Sequence, residues 1–203
     1  HLNLKKGLIA NNHDVILFSS GDGFKQIKSD ITLNRRKTKL GAILYYFHLF
    51  LLIIKFKNFD IVQLISTDIF PSKFSFNKLL ISILKNKNKK LFVIGAGCID
   101  SYTCDFFQYS YKNKNLYKAL ISHYNVHKLW GQTKTGRDFN SWLFEMIDGY
   151  IPVIYEYAEG HRSAVHGKLK KTIPIPMVID DFEYSTNIVE NKVLRTCKNG
   201  VSA

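Results

Sequence analysis

The stretch "FDIVQLISTDIFPSKFSFNKLLISILKNKNKKLFVIGAG" (Phe59–Gly97) determines the expected fold. It contains two short apolar runs, Phe59–Ser66 and Lys90–Gly97, and each is typical of a strand that is buried on both faces. The segment between them begins with Pro71, a favoured first-turn residue, and has the length of a helix. A strand, a helix and a second strand in succession predict two parallel strands joined by a crossover helix.

The same alternation of strands and helices extends to both sides of this unit, so the chain is predicted to be α/β, a Rossmann-like parallel sheet with helices on both faces. We expect Asp138 or Asn140 near the N-cap of the helix at 137–147. Domains of this type begin with a strand, whereas this chain begins with a helix, so the first strand is expected to be missing upstream of His1. The other predicted strands are 13–20, 31–33 and 149–155, the other helices are 2–12, 40–54, 113–125 and 155–165, and a final extended segment is 171–179.

The composition favours a folded, basic protein. Apolar residues make up 46% of the 203 residues, which is enough for a core, and the net charge is +13. This charge favours anionic partners, although a general bias toward Lys and Asn would also produce it. Cys98, Cys104 and Cys197 form neither a paired framework nor a metal spacing, so we predict no metal site and a reducing, cytoplasmic setting.

The segment Arg35–Lys57 allows two interpretations. Its uninterrupted apolar part, 40–54, is shorter than the roughly 20 residues that span a bilayer. The first interpretation is a helix that is buried between the sheet and its neighbouring helices. The second is a helix with basic ends that lies on an anionic membrane surface.

Ligands of open α/β sheets bind beyond the carboxyl ends of the strands, and three loops qualify. The first contains Gly21, Asp22 and Gly23, whose glycines allow tight turns and close approach of a substrate. Because a complete Gly-x-Gly-x-x-Gly spacing is absent, a dinucleotide site is not expected here. The alternative is an ordinary turn between a strand and a helix.

The second loop follows the predicted strand 90–97. Gly95 and Gly97 leave room for a substrate at the end of that strand, and Asp100 offers a carboxylate at the edge of the sheet. Such a carboxylate is a candidate general base for a hydroxyl group. The alternative is that this acid caps a following turn.

The third loop begins the segment "YEYAEGHR" (Tyr155–Arg162). Tyr155 and Glu156 are candidate substrate-binding residues because they follow the last complete strand. The alternative for Glu156 and Glu159 is electrostatic, since acids in the first turn of a helix are favoured by the helix dipole.

Several of these motifs resemble the amino-terminal domain of GT-B glycosyltransferases of the GT4-like group. In "GLIANNHDVILFSSGDG" (Gly7–Gly23), the residues Asn12–Val15 stand where that group has Gly-His-x-Val between its first helix and second strand. The segment 148–162 is similar to the end of the same domain. Lys171–Asp180 matches its "K-x-x-x-I-P-x-x-I-D" connection to a second domain.

The resemblance implies a two-lobed enzyme that transfers a sugar from a nucleotide-sugar, with no bound cofactor. Residues 1–184 would be the acceptor-binding lobe, and 185–203 a truncated or aberrant start of the donor-binding lobe. The group often has a His after the strand equivalent to 90–97. This chain has none there, and Asp100 is the nearest functional substitute.

The leading hypothesis is therefore an acceptor-binding lobe that acts in envelope polysaccharide synthesis, on a glycan or a lipid-linked acceptor. It would be cytoplasmic, with a peripheral position on the inner face of the cell membrane through Arg35–Lys57. One alternative is a fragment of a nucleotide- or dinucleotide-binding oxidoreductase, although the glycine fingerprint is missing. The other is a basic nucleic-acid-binding module, which no motif supports, so no nucleic-acid partner is expected.

Overall fold

The computed structural model of the chain divides it into two compact units. One comprises His1–Thr32 with Met177–Ala203, and the other comprises Leu33–Pro176. The predicted extended segment at 171–179 and almost all of the predicted helix at 113–125 lie outside the described residues. The structure describes residues 2–19, 28–33, 38–96, 100–109, 115, 118, 119, 122 and 129–162.

The first unit contains helix α1 (Leu2–Ala10) and two short parallel strands, β1 (Phe18–Ser19) and β2 (Ile31–Thr32). The predicted strand at 13–20 is therefore too long, because only its last described residues pair with a neighbour. Before β1, the Asp30 carboxylate accepts a hydrogen bond of 2.7 Å from the amide of Leu17, and the carbonyl of Leu17 accepts one of 2.9 Å from the amide of Asp30.

The second unit contains a three-stranded sheet in the order β3–β4–β5, and all its strands are parallel. The strands are β3 (Ile61–Leu64), β4 (Lys90–Gly95) and β5 (Gly149–Pro152). The central strand is the most deeply buried, with Leu91 and Val93 fully enclosed. This pattern explains the continuous apolar run in the sequence, because a strand covered on both faces has no solvent-facing side.

In the described part of the second unit, five helices and two 3₁₀ turns have both of their ends defined. The helices are α2 (Lys39–Lys55), α3 (Phe76–Lys87), α4 (Ser101–Tyr109), α5 (Lys134–Met146) and α6 (Tyr155–Arg162), and the 3₁₀ turns are Lys73–Ser75 and Trp130–Gln132. Parallel strands flanked by helices confirm the predicted α/β class and are consistent with a Rossmann-like arrangement. The sequence analysis did not predict α4.

The carboxylate of Asp148 connects the start of β5 to β4 through hydrogen bonds. The Asp148 side chain accepts a hydrogen bond of 2.8 Å from the amide of Leu91, whose carbonyl in turn accepts one of 2.8 Å from the amide of Asp148. The same carboxylate forms ion pairs with Lys85 at 2.5 Å and Lys90 at 3.3 Å. It therefore joins α3, β4 and β5 at the amino end of the sheet.

Pro71 does not begin the helix that the sequence predicts there. Phe74 and Ser75 adopt left-handed backbone conformations, with φ of 54° and 56°, and this interrupts the helical path. The α-helix therefore begins only at Phe76. At the other end of the unit, the predicted strand 149–155 is too long, because β5 ends at Pro152 and the amide of Val153 makes the last hydrogen bond to β4, 3.1 Å from the carbonyl of Gly95.

The predicted N-cap of α5 is also wrong. Thr133 caps this helix, and its hydroxyl accepts a hydrogen bond of 3.1 Å from the amide of Gly136. Asp138 and Asn140 lie inside the helix, and Asn140 is completely buried. A threonine hydroxyl serves as well as a carboxylate here, because the cap needs only one acceptor for the unpaired amides of the first turn.

α2 is only partly enclosed. Gly41, Tyr45, Leu49 and Ile53 form its buried face, while a row of large apolar residues on the opposite side is exposed. The interpretation of this helix as buried between the sheet and other helices is therefore wrong for half of its surface. None of the helices in the described part of the chain has both the length and the apolarity needed to cross a membrane.

Candidate functional site

A small cavity lies beyond the carboxyl ends of β3 and β4, where ligands of parallel sheets are expected. Its volume is about 10 Å³, which is room for a single water or hydroxyl group. The loop after β3, the end of β4, the start of α4 and one side chain of β5 all contribute to its wall. The lining residues are Ser66, Thr67, Ile94, Gly95, Ala96, Asp100 and Tyr150.

Asp100 is fixed at this cavity because it caps α4. Its carboxylate accepts a hydrogen bond of 2.9 Å from the amide of Thr103 and another of 2.8 Å from the Thr103 hydroxyl. Only 3% of the residue is exposed. Capping is one of the two roles that the sequence leaves open for this acid, and it positions the carboxylate without preventing the other role.

His161 is the nearest titratable neighbour of Asp100. Its Nε2 lies 3.3 Å from Oδ1 of Asp100, and both side chains are almost completely buried. The Nε2 atom makes no hydrogen bond within the described part of the chain, so the contact with Asp100 is defined by its distance. The rings of Tyr102, Phe144 and Tyr150 surround the imidazole at centroid distances of 5.0, 4.6 and 4.1 Å.

The environment of Asp100 favours its ionised form. Burial alone raises the pKa of a carboxyl group, but the attraction of His161 and the two hydrogen bonds from Thr103 outweigh burial. As a result, the pKa of Asp100 lies below its ordinary value. An ionised carboxylate beside a cavity can accept a hydrogen bond, and then a proton, from a hydroxyl group that enters it.

Two hydroxyl groups in the cavity wall have no hydrogen-bond partner among the described residues. They belong to Thr67, which is 5% exposed, and Tyr150, which is 7% exposed. Burial raises the pKa of Tyr150, and the nearby Asp100 carboxylate raises it further, so this phenol remains protonated. The cavity therefore presents two unused hydroxyl groups next to a negative charge, a set that matches a neutral hydroxyl ligand.

Gly95 is required for this arrangement. A Cβ atom at this position would collide with the Tyr150 hydroxyl and ring. Gly160 has a similar role in α6, because a Cβ there would lie 2.9 Å from the Cα of Thr103 in α4. Gly95 leaves room in β4 for the Tyr150 side chain of β5, and Gly160 lets α6 approach α4, so Asp100, Tyr150 and His161 come together.

The other predicted site residues are not brought to the cavity. Tyr155 is 58% exposed at the first position of α6, and Glu156 is half-buried in the first turn of that helix. Neither lines the cavity. Gly21, Asp22, Gly23 and Gly97 lie outside the described residues.

The sequence analysis did not identify His161, Tyr150, Ser66 or Thr67 as site residues. Ser66 and Thr67 could have been found by applying the carboxyl-end rule to the predicted strand 59–66 as well. His161 offers a weaker signal: it stands three residues after Ala158, so both lie on one face of a helix, and both are buried.

Within the described residues, no group of three or more His, Cys, Asp or Glu side chains could hold a metal ion. No known protein family, no curated protein and no solved structure shows a significant match to the chain. The residues of the site therefore provide the argument for a function.

Proposed function

We propose that this chain is the acceptor-binding lobe of a glycosyltransferase, and that the cavity beside Asp100 receives a hydroxyl group of the acceptor. The observation that carries the proposal is an ionised, buried carboxylate in a cavity of hydroxyl size at the carboxyl edge of a parallel sheet. The resemblance of the motifs at 7–23 and 148–180 to the GT4-like group supports the same function.

In the proposed reaction, the acceptor hydroxyl donates a hydrogen bond to the Asp100 carboxylate. As the hydroxyl oxygen forms a bond to the anomeric carbon, its proton passes to Asp100, and the bond between that carbon and the nucleoside diphosphate breaks. His161 holds the carboxylate in its ionised form before the transfer. The resemblance assigns the nucleotide-sugar to a second lobe, so acceptor binding rather than turnover is the expected property of this chain.

The charge of the site also bears on the acceptor. A carboxylate repels phosphate and carboxylate groups, whereas a hydroxyl can donate to it and accept from Thr67 or Tyr150. The group that enters the cavity should therefore be neutral. A glycan, or the sugar part of a lipid-linked acceptor, meets this requirement.

Ligand-observed NMR of the complete 203-residue chain with a panel of octyl glycosides tests the proposal. We expect saturation transfer to the sugar protons of at least one glycoside in the wild-type chain and its loss in Asp100→Asn, because the amide keeps the cap but loses the charge. Asp138→Asn makes the same chemical change at an exposed position of α5 and should leave binding intact. Absence of binding to every glycoside would contradict the proposal.

Two parallel measurements separate the alternatives. An oxidoreductase fragment would bind NADH or NADPH and enhance the fluorescence of the nicotinamide, and we expect no such change. A nucleic-acid-binding module would shift short DNA in a gel at low salt and release it as salt rises, and we expect no specific complex. A positive result in either assay, together with no glycoside binding, would replace the proposed function.

A further inference from the structure

α2 has two apolar faces, and only one of them is covered. The covered face consists of residues spaced by four positions from Gly41 to Ile53. On this side the helix contacts α3, and the ring of Tyr46 packs 5.0 Å from that of Phe76. The opposite face is the apolar stripe, defined by Leu40, Ile43, Leu44, Phe47 and Leu51.

The apolar stripe is exposed along its whole length. Leu40 and Ile43 are 68% and 67% exposed, and Phe47 is 56% exposed. Four of its members follow the spacing i, i+4, i+7 and i+11, so they form one continuous row on a helix about 25 Å long. A contiguous apolar surface of this kind marks an interaction site, because single exposed apolar residues are common but aligned rows are not.

Basic residues flank the stripe. Lys39 begins the helix and Lys55 ends it, and both are exposed, as is Lys57 just beyond. The helix itself contains no acidic residue, and the whole chain has a net charge of +13. A partner that covers the stripe must therefore be apolar at its centre and negatively charged around it.

We propose that the apolar stripe of α2 docks on an anionic lipid bilayer, with the helix axis parallel to the membrane plane. In this position Leu40, Ile43 and Phe47 enter the boundary between headgroups and acyl chains, and the lysines contact the lipid phosphates. The 17-residue helix lies on the membrane and does not cross it. The surface is independent of the proposed activity, so either proposal can fail without the other.

Two features favour a bilayer over a protein partner. Lysine is depleted in the buried centre of protein interfaces but is common at the edge of membrane-bound helices. A second copy of this chain is disfavoured because two molecules of charge +13 repel each other. The apolar stripe with its cationic ends therefore matches the layered chemistry of an anionic bilayer surface better than it matches another protein or a second copy of this chain.

Co-sedimentation of the complete chain with vesicles tests the proposal. We expect binding to vesicles that contain phosphatidylglycerol, and at least about tenfold weaker binding to pure phosphatidylcholine. The double substitution Ile43→Ser and Phe47→Ser should weaken binding to the anionic vesicles by about tenfold or more, because it removes two of the inserted side chains. Tyr109→Ser removes an aromatic that is 78% exposed on α4 and should leave binding unchanged.

A fluorescent reporter identifies the inserting face. Phe47→Trp keeps the apolar character, so it should bind as the wild type does and shift its emission to the blue on addition of anionic vesicles. Tyr109→Trp should show no such shift. Unchanged binding of the double serine variant, or no blue shift at position 47, would overturn the proposal. So would a homodimer in light scattering that the double serine variant abolishes, because it would assign the stripe to a second copy.

Discussion

Nε2 of His161 lies 3.3 Å from Oδ1 of Asp100, and the two side chains are only 2% and 3% exposed. This pair links the end of α6 to the start of α4 in a region that is otherwise lined by aromatic rings. A buried carboxylate is costly unless its neighbours offset the loss of water, so the ionised form of Asp100 depends on His161.

Removing both partners should therefore cost less than the two separate losses added together. We expect His161→Leu to lower the free energy of unfolding by about 3 kcal/mol at pH 7, because Asp100 is left as an unpaired buried charge. The double variant His161→Leu with Asp100→Asn should be less destabilised than the sum of the two single variants, by at least about 1 kcal/mol. Urea denaturation of all four proteins measures this coupling. Additive losses would mean that the two groups do not interact.

The Asp148 carboxylate predicts a particular loss of stability in acid. The hydrogen bond from Lys85 is the largest cause that lowers the pKa of Asp148, and the hydrogen bond from the Leu91 amide is the next. Together they lower this pKa from 3.8 to about 2. The folded pKa is below the unfolded value, so the ionised group stabilises the fold above about pH 4, and this contribution disappears as the pH falls toward 2. Asp148→Asn should cost about 1 kcal/mol at neutral pH, a figure reduced for the partly exposed lysines.

The pH dependence of urea denaturation checks this prediction. Between pH 4 and about 2, the stability of Asp148→Asn should fall less steeply than that of the wild type, because the titrating group is absent. Asp60→Asn is the matched control, since Asp60 also forms an ion pair, with Lys89, but its side chain is 79% exposed. We expect no measurable effect from this control. Identical acid curves for wild type and Asp148→Asn would refute the assignment.

The glycine at the end of β4 should not tolerate a methyl group. Gly95→Ala places a Cβ atom against the Tyr150 hydroxyl, and relieving the collision must move that side chain within a packed core. We expect a loss of about 1–3 kcal/mol in the free energy of unfolding. Gly7→Ala is the matched control, because no atom lies within 4 Å of the added methyl group in α1. It should stabilise the protein by up to about 1 kcal/mol, and thermal melting distinguishes the two results.

The charge that flanks the apolar stripe can be tested at one position with a close control. Lys39 and Lys134 are both the first residues of threonine-capped helices, α2 and α5. Changing either to Glu alters the net charge and the helix dipole interaction in the same way. We expect Lys39→Glu to weaken co-sedimentation with anionic vesicles by about tenfold and Lys134→Glu to have little effect. Equal losses would indicate that only the net charge matters.

The sequence predicts the central part of the fold well because burial there leaves a simple pattern. β4 is an enclosed parallel strand, so it appears as an uninterrupted apolar run, and α3 before it has its apolar residues in a helical period. The same expectation is wrong for β3, because Ile61 is 62% exposed and only Leu64 of that strand is buried. α2 was also placed within one residue at each end. Its exposed face could not be foreseen, because a helix that is apolar on all sides gives no indication of which side is covered.

The sequence predicts the site only in part. Gly95 and Asp100, which line the cavity, were chosen as candidates from the rule that ligands bind at the carboxyl ends of parallel strands. α4 was missed because "SYTCDFFQY" (Ser101–Tyr109) mixes polar and aromatic residues without a clear apolar period, and its stability depends on the Asp100 cap and on packing against α6. His161 was missed because its partner is 61 residues away, a separation that no local pattern encodes.

The close approach at Gly160 has a mechanical consequence. The backbones of α4 and α6 touch there without an intervening side chain, and Asp100 and His161 lie at neighbouring points of the same junction. The two helices are thus mechanically coupled, so a displacement of one is transmitted to the other. A displacement of the end of α6 would therefore move the Asp100 carboxylate directly, and not by way of the β-sheet.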